Sequence, residues 1–384
     1  MAKLREVCTV VSGSTPKTNI AEYWDGDVKW ITPAELNEDS FYICDSVRHI
    51  TEEGRIKTGL SYMPKGTVIL SSRAPIGKTA IIDCPMCCNQ GFKNFICSDE
   101  IFNEYLYFFL KSKTNYLNSL GRGATFKELS KSIVEDIEIP LPSLDVQKII
   151  AAHLGKLETL ISLRKQQLSK LDDLVKSRFV EMFGDLVIGD KVNVNQKKIG
   201  EIASVTKLAG FEFTQYIQYK EHGDIIMLRG LNCKKGHLVL GDVKWIDKET
   251  SDLLPRSKLY YGDILMTYAG TIGDVALVDA DDKYHLAPNV AKITLNDKNA
   301  CNPVFLMHLF MYTNDYIMTF ASVVAQASIN MEKIRNFEYY FPSVELQNQF
   351  AAFVEQTDKS KFEIQKCLEK LETLKKALMQ KYFG

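Results

Sequence analysis

Two hydrophobic rhythms alternate along this chain of 384 residues. Short β-branched and aromatic runs, punctuated by Gly, Pro, Asn and Asp, predict strands at Val28-Lys29-Trp30-Ile31, Thr67-Val68-Ile69-Leu70, Thr79-Ala80-Ile81-Ile82 and Ile264-Leu265-Met266-Thr267. Helical segments interrupt them near Asn103 to Lys113 and Pro303 to Thr313. A heptad rhythm then takes over twice. From Leu144 to Phe183, Leu154, Leu157, Ile161, Leu168, Leu171 and Val175 keep a and d spacing; from Val344 to Phe383, Val354, Ile364, Leu368, Leu371 and Leu378 do the same. Ser143 and Ser343 stand where N-caps belong, with Asp145 and Glu345 in the first turns. Neither segment holds a proline after its start, although Gly155 weakens the first slightly.

Helices of about 40 residues are roughly 60 Å long at 1.5 Å per residue, more than one domain core can cover. They are therefore expected to pair with each other rather than to lie on separate cores. Arg164, Arg178, Thr357, Lys361 and Lys375 interrupt the seam and supply polar positions that fix register and partner.

The chain also says the same thing twice. Ile137 to Gly184 can be laid on Phe337 to Gly384 without a gap: Pro142-Ser143 falls on Pro342-Ser343, Gln147 on Gln347, Ala151-Ala152 on Ala351-Ala352, and Phe183-Gly184 on Phe383-Gly384. The globular parts follow more loosely, with Leu4-Arg5-Glu6-Val7 on Ile199-Gly200-Glu201-Ile202 and Gly66-Thr67-Val68-Ile69-Leu70 on Gly262-Asp263-Ile264-Leu265-Met266. A period near half the chain implies a duplicated unit, not a solenoid. Two similar units in one chain suit a partner that itself has two similar halves. The expected division is 1–143 and 186–343 for the globular domains, with 144–185 and 344–384 for the helices.

Composition narrows this only a little. The net charge of −1 counts mildly against a chain that grips nucleic acid alone, but says nothing of local patches. A basic start followed by an apolar run is lacking, as is a long apolar stretch, so neither a signal peptide nor a membrane span is expected. Nine cysteines without secretory context read as reduced thiols of a cytoplasmic protein.

Catalytic constellations fare poorly. Asn302-Pro303-Val304-Phe305 approaches the loop by which amino-methyltransferases hold adenine, but the equivalent Phe102-Asn103-Glu104-Tyr105 lacks the pair. An N-cap followed by proline at the first helical position explains it. Cys84-Pro85-Met86-Cys87-Cys88 has no second pair to complete a zinc site, so core or strand cysteines are expected. Phosphate-binding glycine fingerprints and defensible carboxylate pairs are lacking too.

The twin loops Ser71-Ser72-Arg73-Ala74-Pro75-Ile76-Gly77-Lys78 and Thr267-Tyr268-Ala269-Gly270-Thr271-Ile272-Gly273-Asp274 are different. They share a glycine turn and diverge in polar decoration, which suits loops that read different things. The loops 121–127 and 324–330 also correspond. Candidate donors to bases or phosphates are Arg73, Lys78, Arg122 and Lys127 in the first half, and Arg229, Tyr268, Gln326 and Asn330 in the second. Solvated loop residues are the plain alternative for each.

Taken in order, these motifs resemble the specificity (S) subunit of type I restriction-modification enzymes over essentially the whole chain. The resemblance is carried by Leu4-Arg5-Glu6-Val7, Trp30-Ile31-Thr32-Pro33-Ala34-Glu35-Leu36, the strand-turn Gly66 to Gly77, the boundaries Ile139-Pro140-Leu141-Pro142-Ser143-Leu144-Asp145-Val146-Gln147 and Tyr340-Phe341-Pro342-Ser343-Val344-Glu345-Leu346-Gln347, and both Phe-Gly endings. It implies an α+β fold: two similar strand-rich target-recognition domains separated by two long antiparallel helices in a coiled coil, with pseudo-twofold duplication. It also implies a non-catalytic subunit. Each domain would read one half of a bipartite site in double-stranded DNA, and the helices would set the spacer and dock two methyltransferase (M) subunits. Restriction (R) subunits are possible further partners. S-adenosylmethionine and ATP with Mg would act only in those partner subunits, and this chain itself would carry no cofactor and no metal. The competing readings are a standalone DNA methyltransferase or nuclease, and a coiled-coil scaffold with two protein-binding domains and no role with DNA.

Overall fold

The computed structural model describes residues 1–73, 75–122, 127–189, 196–322 and 327–384. The chain divides into two compact units, Met1–Gln167 with Ile364–Gly384 and Leu168–Glu363. The long central helix, Leu144–Phe183, begins in the first unit and ends in the second. The C-terminal helix, Val344–Phe383, begins in the second and ends in the first.

The first unit holds a five-stranded sheet. Cys8–Ser12 pairs with Phe92–Cys97, which pairs with Val68–Ser71, then Thr79–Ile82; all are antiparallel, and Tyr42–Ile43 adds in parallel at the edge. A smaller sheet sets Trp24–Ile31 between His49–Ile50 and Cys87–Cys88. The strands Val68–Ser71 and Thr79–Ile82 are buried at every position, as continuous apolar runs covered on both faces should be. One face carries Val68, Leu70, Phe95 and the helix Asn103–Ser112; the other carries Ile69, Ala80, Ile82 and Phe92 against the smaller sheet.

The second unit repeats the plan. Ala203–Lys207, Val290–Leu295, Ile264–Thr267 and Val275–Leu277 pair in the same antiparallel order. Ile225–Leu228 pairs antiparallel with Lys244–Ile246 and parallel with Tyr284–Leu286, as Trp24–Ile31 does with its two neighbours. The helix Pro303–Tyr312 takes the place of Asn103–Ser112. It is capped as its sequence predicts: the Asn302 Oδ1 accepts from Val304 N at 2.9 Å, with Pro303 opening the helix.

Within each unit the two helix segments run antiparallel. In the first, Lys375 Nζ meets Glu158 at 2.7 Å, while Phe383 shares a core with Ile150, Ala151 and Leu154. In the second, Lys361 meets Asp172 at 2.7 Å, and Phe350 packs on Phe179 and Phe183. Of the seam positions, Leu154, Leu157, Ile161, Val354 and Leu368 are buried, whereas Leu168, Leu171, Ile364, Leu371 and Leu378 are half-buried. The polar interruptions Lys361 and Lys375 are the residues that make the interhelical ion pairs.

Both helix starts are tied to the globular parts by the repeated glutamine. Gln147 Oε1 accepts from Phe102 N at 2.9 Å, and Gln347 Oε1 accepts from Asn302 N at 2.9 Å. Their amide nitrogens donate to Pro142 O at 2.9 Å and Pro342 O at 2.8 Å. Both side chains are buried, so losing either would strand backbone polar groups. Among the described residues no helix is long and apolar enough to cross a membrane. Cys87 and Cys88 form a short buried strand, and among the described residues no group of His, Cys, Asp and Glu is arranged to hold a metal.

Candidate nucleic-acid interface

At one edge of each large sheet two loops meet, and both units build the meeting in the same way. The first loop leaves strand Val68–Ser71 and returns as Thr79–Ile82. Its ends close by Ser71 N donating to Lys78 O at 2.8 Å and Gly77 N donating to Ser71 O at 3.1 Å. In the second unit Thr267 N donates to Asp274 O at 2.9 Å and Gly273 N to Thr267 O at 2.9 Å. The hydroxyl at the same position fastens the inside of each loop. Ser71 Oγ donates to Pro75 O at 2.8 Å and accepts from Lys78 N at 2.9 Å. Thr267 Oγ1 donates to Thr271 O and accepts from Asp274 N at 3.0 Å. Gly77 and Gly273 have φ of 104° and 84°, the left-handed backbone that side chains avoid.

The second loop docks beside the first. Leu129 N donates to Ser72 O at 2.8 Å, and Ile329 N donates to Tyr268 O at 2.9 Å. Bridges join Arg73 with Glu128 and Arg122 with Glu128; in the second unit they join Ala269 with Ser328 and Ser322 with Ser328. One backbone plan thus presents two different sets of side chains.

The first unit brings Arg73, Arg122 and Lys127 to this edge. Arg73 Nε lies 3.1 Å from Glu128, and Lys127 is exposed. Lys78 turns away: its ammonium donates to Pro33 O at 3.1 Å and Leu36 O at 2.6 Å, which ties the loop to the short turn that follows strand Trp24–Ile31. Lys93, which sequence reasoning did not single out, is buried beneath the loops with Nζ 3.4 Å from Ser72 Oγ and 3.7 Å from Glu128. Burial lowers its pKa, with the Glu128 carboxylate opposing. Beside it Asn94 is fully buried, and its amide nitrogen and oxygen have no hydrogen-bond partner among the described residues.

In the second unit Tyr268 reaches the edge with the Lys207 ammonium 5.5 Å from its ring. Asn330 caps the helix Met331–Arg335 by accepting from Lys333 N at 2.8 Å. The Arg229 guanidinium is held by Asp242, donating to its carboxylate at 2.7 Å and its carbonyl at 3.0 Å. Gln326 lies outside the described residues. No local signal marked Lys93 or Glu128, which are singled out by pairing between segments far apart in sequence, whereas Ser71 and Thr267 are singled out by hydrogen bonds within their own loops.

The fold and the twin loop edges define a duplicated two-unit architecture, and the comparisons give its family. The chain matches the type I restriction modification DNA specificity domain over residues 1–173 and again over 191–376. It belongs to that family, whose members are non-catalytic specificity subunits. It is 37% identical over 251 residues to the type I restriction enzyme MjaIX specificity subunit of Methanocaldococcus jannaschii, a match covering 61% of this chain and 58% of that relative, less than two thirds of its length. The EcoBI specificity subunit of Escherichia coli is 26% identical over 86% of this chain and 75% of its own. In fold it is similar to the S subunit of the M. genitalium type I restriction-modification system (TM-score 0.57, 15% identity), covering 100% of this chain and 95% of that one. A chain from a structure of type I complex assembly and conformational transition gives a TM-score of 0.62 at 16% identity, covering 100% and 96%.

Proposed function

We propose that this chain chooses the DNA sites of a type I restriction-modification enzyme, each unit reading one half of a bipartite site through its paired loops. The observation that carries this is the loop edge itself: one hydrogen-bonded plan, made twice, decorated with Arg73, Arg122 and Lys127 in one copy and Tyr268, Ala269 and Ser328 in the other. A shared scaffold with divergent side chains is what two readers of different half-sites require, because base edges are told apart by the donors and acceptors that meet them.

The long helices would set the spacer and dock two methyltransferase subunits. In the first unit Val146 with Ile149, and Leu160 with Leu163, are exposed apolar pairs on the central helix, separated by exposed His153 and Lys156, and are candidate contacts for a partner. S-adenosylmethionine and, where restriction subunits join, ATP with Mg would act in those partners, in the cytoplasm where the DNA lies. The domain limits 1–143, 144–185, 186–343 and 344–384 are part of this proposal.

The test is a map of methylated adenines in cells carrying a cognate methyltransferase subunit, with and without this gene. A gap-interrupted motif that appears only with the gene is expected. An unchanged map, with complex formation verified, would instead support a scaffold without a role on DNA.

A further inference from the structure

The loop edge of the first unit contains three charged groups that its counterpart lacks. Lys93 stands opposite Leu70 in the sheet register; Ala291 stands opposite the equivalent Met266. Arg73 bridges to Glu128; Ala269 bridges to Ser328. Arginine, lysine and glutamate are thus exchanged together for two alanines and a serine, while the backbone bonds around them stay the same. The fold does not need the charges.

Physics gives them another use. A buried ammonium is costly unless paired, and Lys93 has the Ser72 hydroxyl and the Glu128 carboxylate to answer it. Glu128 then holds Arg73 with its other oxygen, through Nε at 3.1 Å. Among the described residues no other group engages the Arg73 guanidinium. Its terminal nitrogens therefore remain a fork for an outside acceptor. An arginine whose Nε is held by a carboxylate is orientated in advance, which lowers the entropy lost on binding. A fork of that kind matches the O6 and N7 of guanine.

We infer that Arg73 reads a guanine in the first half-site, with Glu128 as its positioning residue and buried Lys93 as the anchor of Glu128. This rests on the DNA-specificity reading above. The second copy, with Ala269 and Ser328, must read its half-site by other groups.

The experiment uses the full chain in complex with its methyltransferase subunit, mapping methylation motifs and measuring salt-dependent binding to duplexes substituted one base pair at a time. Wild type must first give a two-part motif; failure there overturns the specificity reading itself. Given that motif, R73A is expected to relax a single guanine position of one half-site, reducing discrimination there about 5- to 150-fold. E128Q, which keeps shape and removes charge, is expected to relax the same position and, by leaving the buried Lys93 ammonium without its carboxylate, to melt below wild type. The triple variant R73A/K93A/E128S copies residues that the other unit already carries in this fold, so it guards against a result caused by unfolding. A uniform loss of affinity with a shallower salt slope and an unchanged motif would make Arg73 a phosphate contact and overturn the inference. So would an unchanged motif with unchanged affinity, or relaxation in the other half-site.

Discussion

The ring of Phe383 lies 5.2 Å from that of Tyr105 in the first unit. In the second unit the ring of Phe183 lies 5.0 Å from that of Phe305. Phe183 and Phe383 are equivalent in the repeat, and so are Tyr105 and Phe305. Each unit therefore closes its core with an aromatic side chain from the helix of the other copy. Deleting a buried phenylalanine ring costs about 3–5 kcal/mol. F383A is expected to weaken the first unit by that amount and leave the second nearly unchanged. Hydrogen exchange on the native protein checks it: protection should fall in Asn103–Ser112 and hold in Ile264–Thr267. Equal loss in both would contradict the assignment.

Glu158 sits between two lysines, 3.1 Å from Lys111 and 2.7 Å from Lys375. Burial alone would raise its pKa, but the two ammonium groups outweigh that and hold it low. A carboxylate lowered on folding contributes stability above its unfolded value, near 4.3, and loses it as the pH falls through the lower folded value. E158Q should therefore cost about 1–3 kcal/mol at neutral pH and remove part of the acid sensitivity below about pH 4. Urea unfolding of both proteins at pH 7 and pH 3.5 tests this. A variant as acid-sensitive as wild type would refute the role given to the carboxylate.

The repeat, the two helices and the capped Asn302 were legible because each is local or strictly periodic: heptads, an offset held without gaps, and a proline after an asparagine. The interface was legible only as a pair of loops. Lys78 looks like a loop cation, yet it reaches the Pro33 and Leu36 carbonyls 45 and 42 residues away. Arg229 looks free, yet Asp242 holds it. Lys93 carries no signal of its own in the sequence, and only the sheet register and its contacts show it under Ser72 and Glu128. Sequence spacing carries what lies along one helix or turn; it does not carry which distant strand arrives opposite.

His308 offers a second pH response, confined to the second unit. Burial lowers its pKa to about 4, against the pull of the Val304 carbonyl 2.8 Å from Nδ1. A histidine depressed on folding contributes stability above its unfolded value, near 6.5, and that stability is lost as the pH falls toward 4. The loss for this residue should be about 2–4 kcal/mol across the window. His285, also lowered by burial, adds to it in the same direction. H308L should flatten the pH dependence of unfolding by close to one proton between pH 6.5 and 4. A slope equal to that of wild type would mean that His308 is already charged in the folded unit.

The loop hydroxyls connect stability with reading. Ser71 is buried, and its Oγ both donates to Pro75 O at 2.8 Å and accepts from Lys78 N at 2.9 Å. S71A would leave that carbonyl and that N–H without these partners, at a cost of about 1–3 kcal/mol. Because the loop also carries Arg73, the loss should reach function: relaxed methylation at the first half-site and a normal second half. S71T should restore both, since threonine does the same work at position 267, where Thr267 Oγ1 accepts from Asp274 N at 3.0 Å. In reverse, T267A should relax only the second half-site, and T267S should restore it. Methylation maps of the four variants with the same methyltransferase partner decide the matter. If S71A disturbs both halves alike, the hydroxyl matters to the chain as a whole, and the loops are not separate readers.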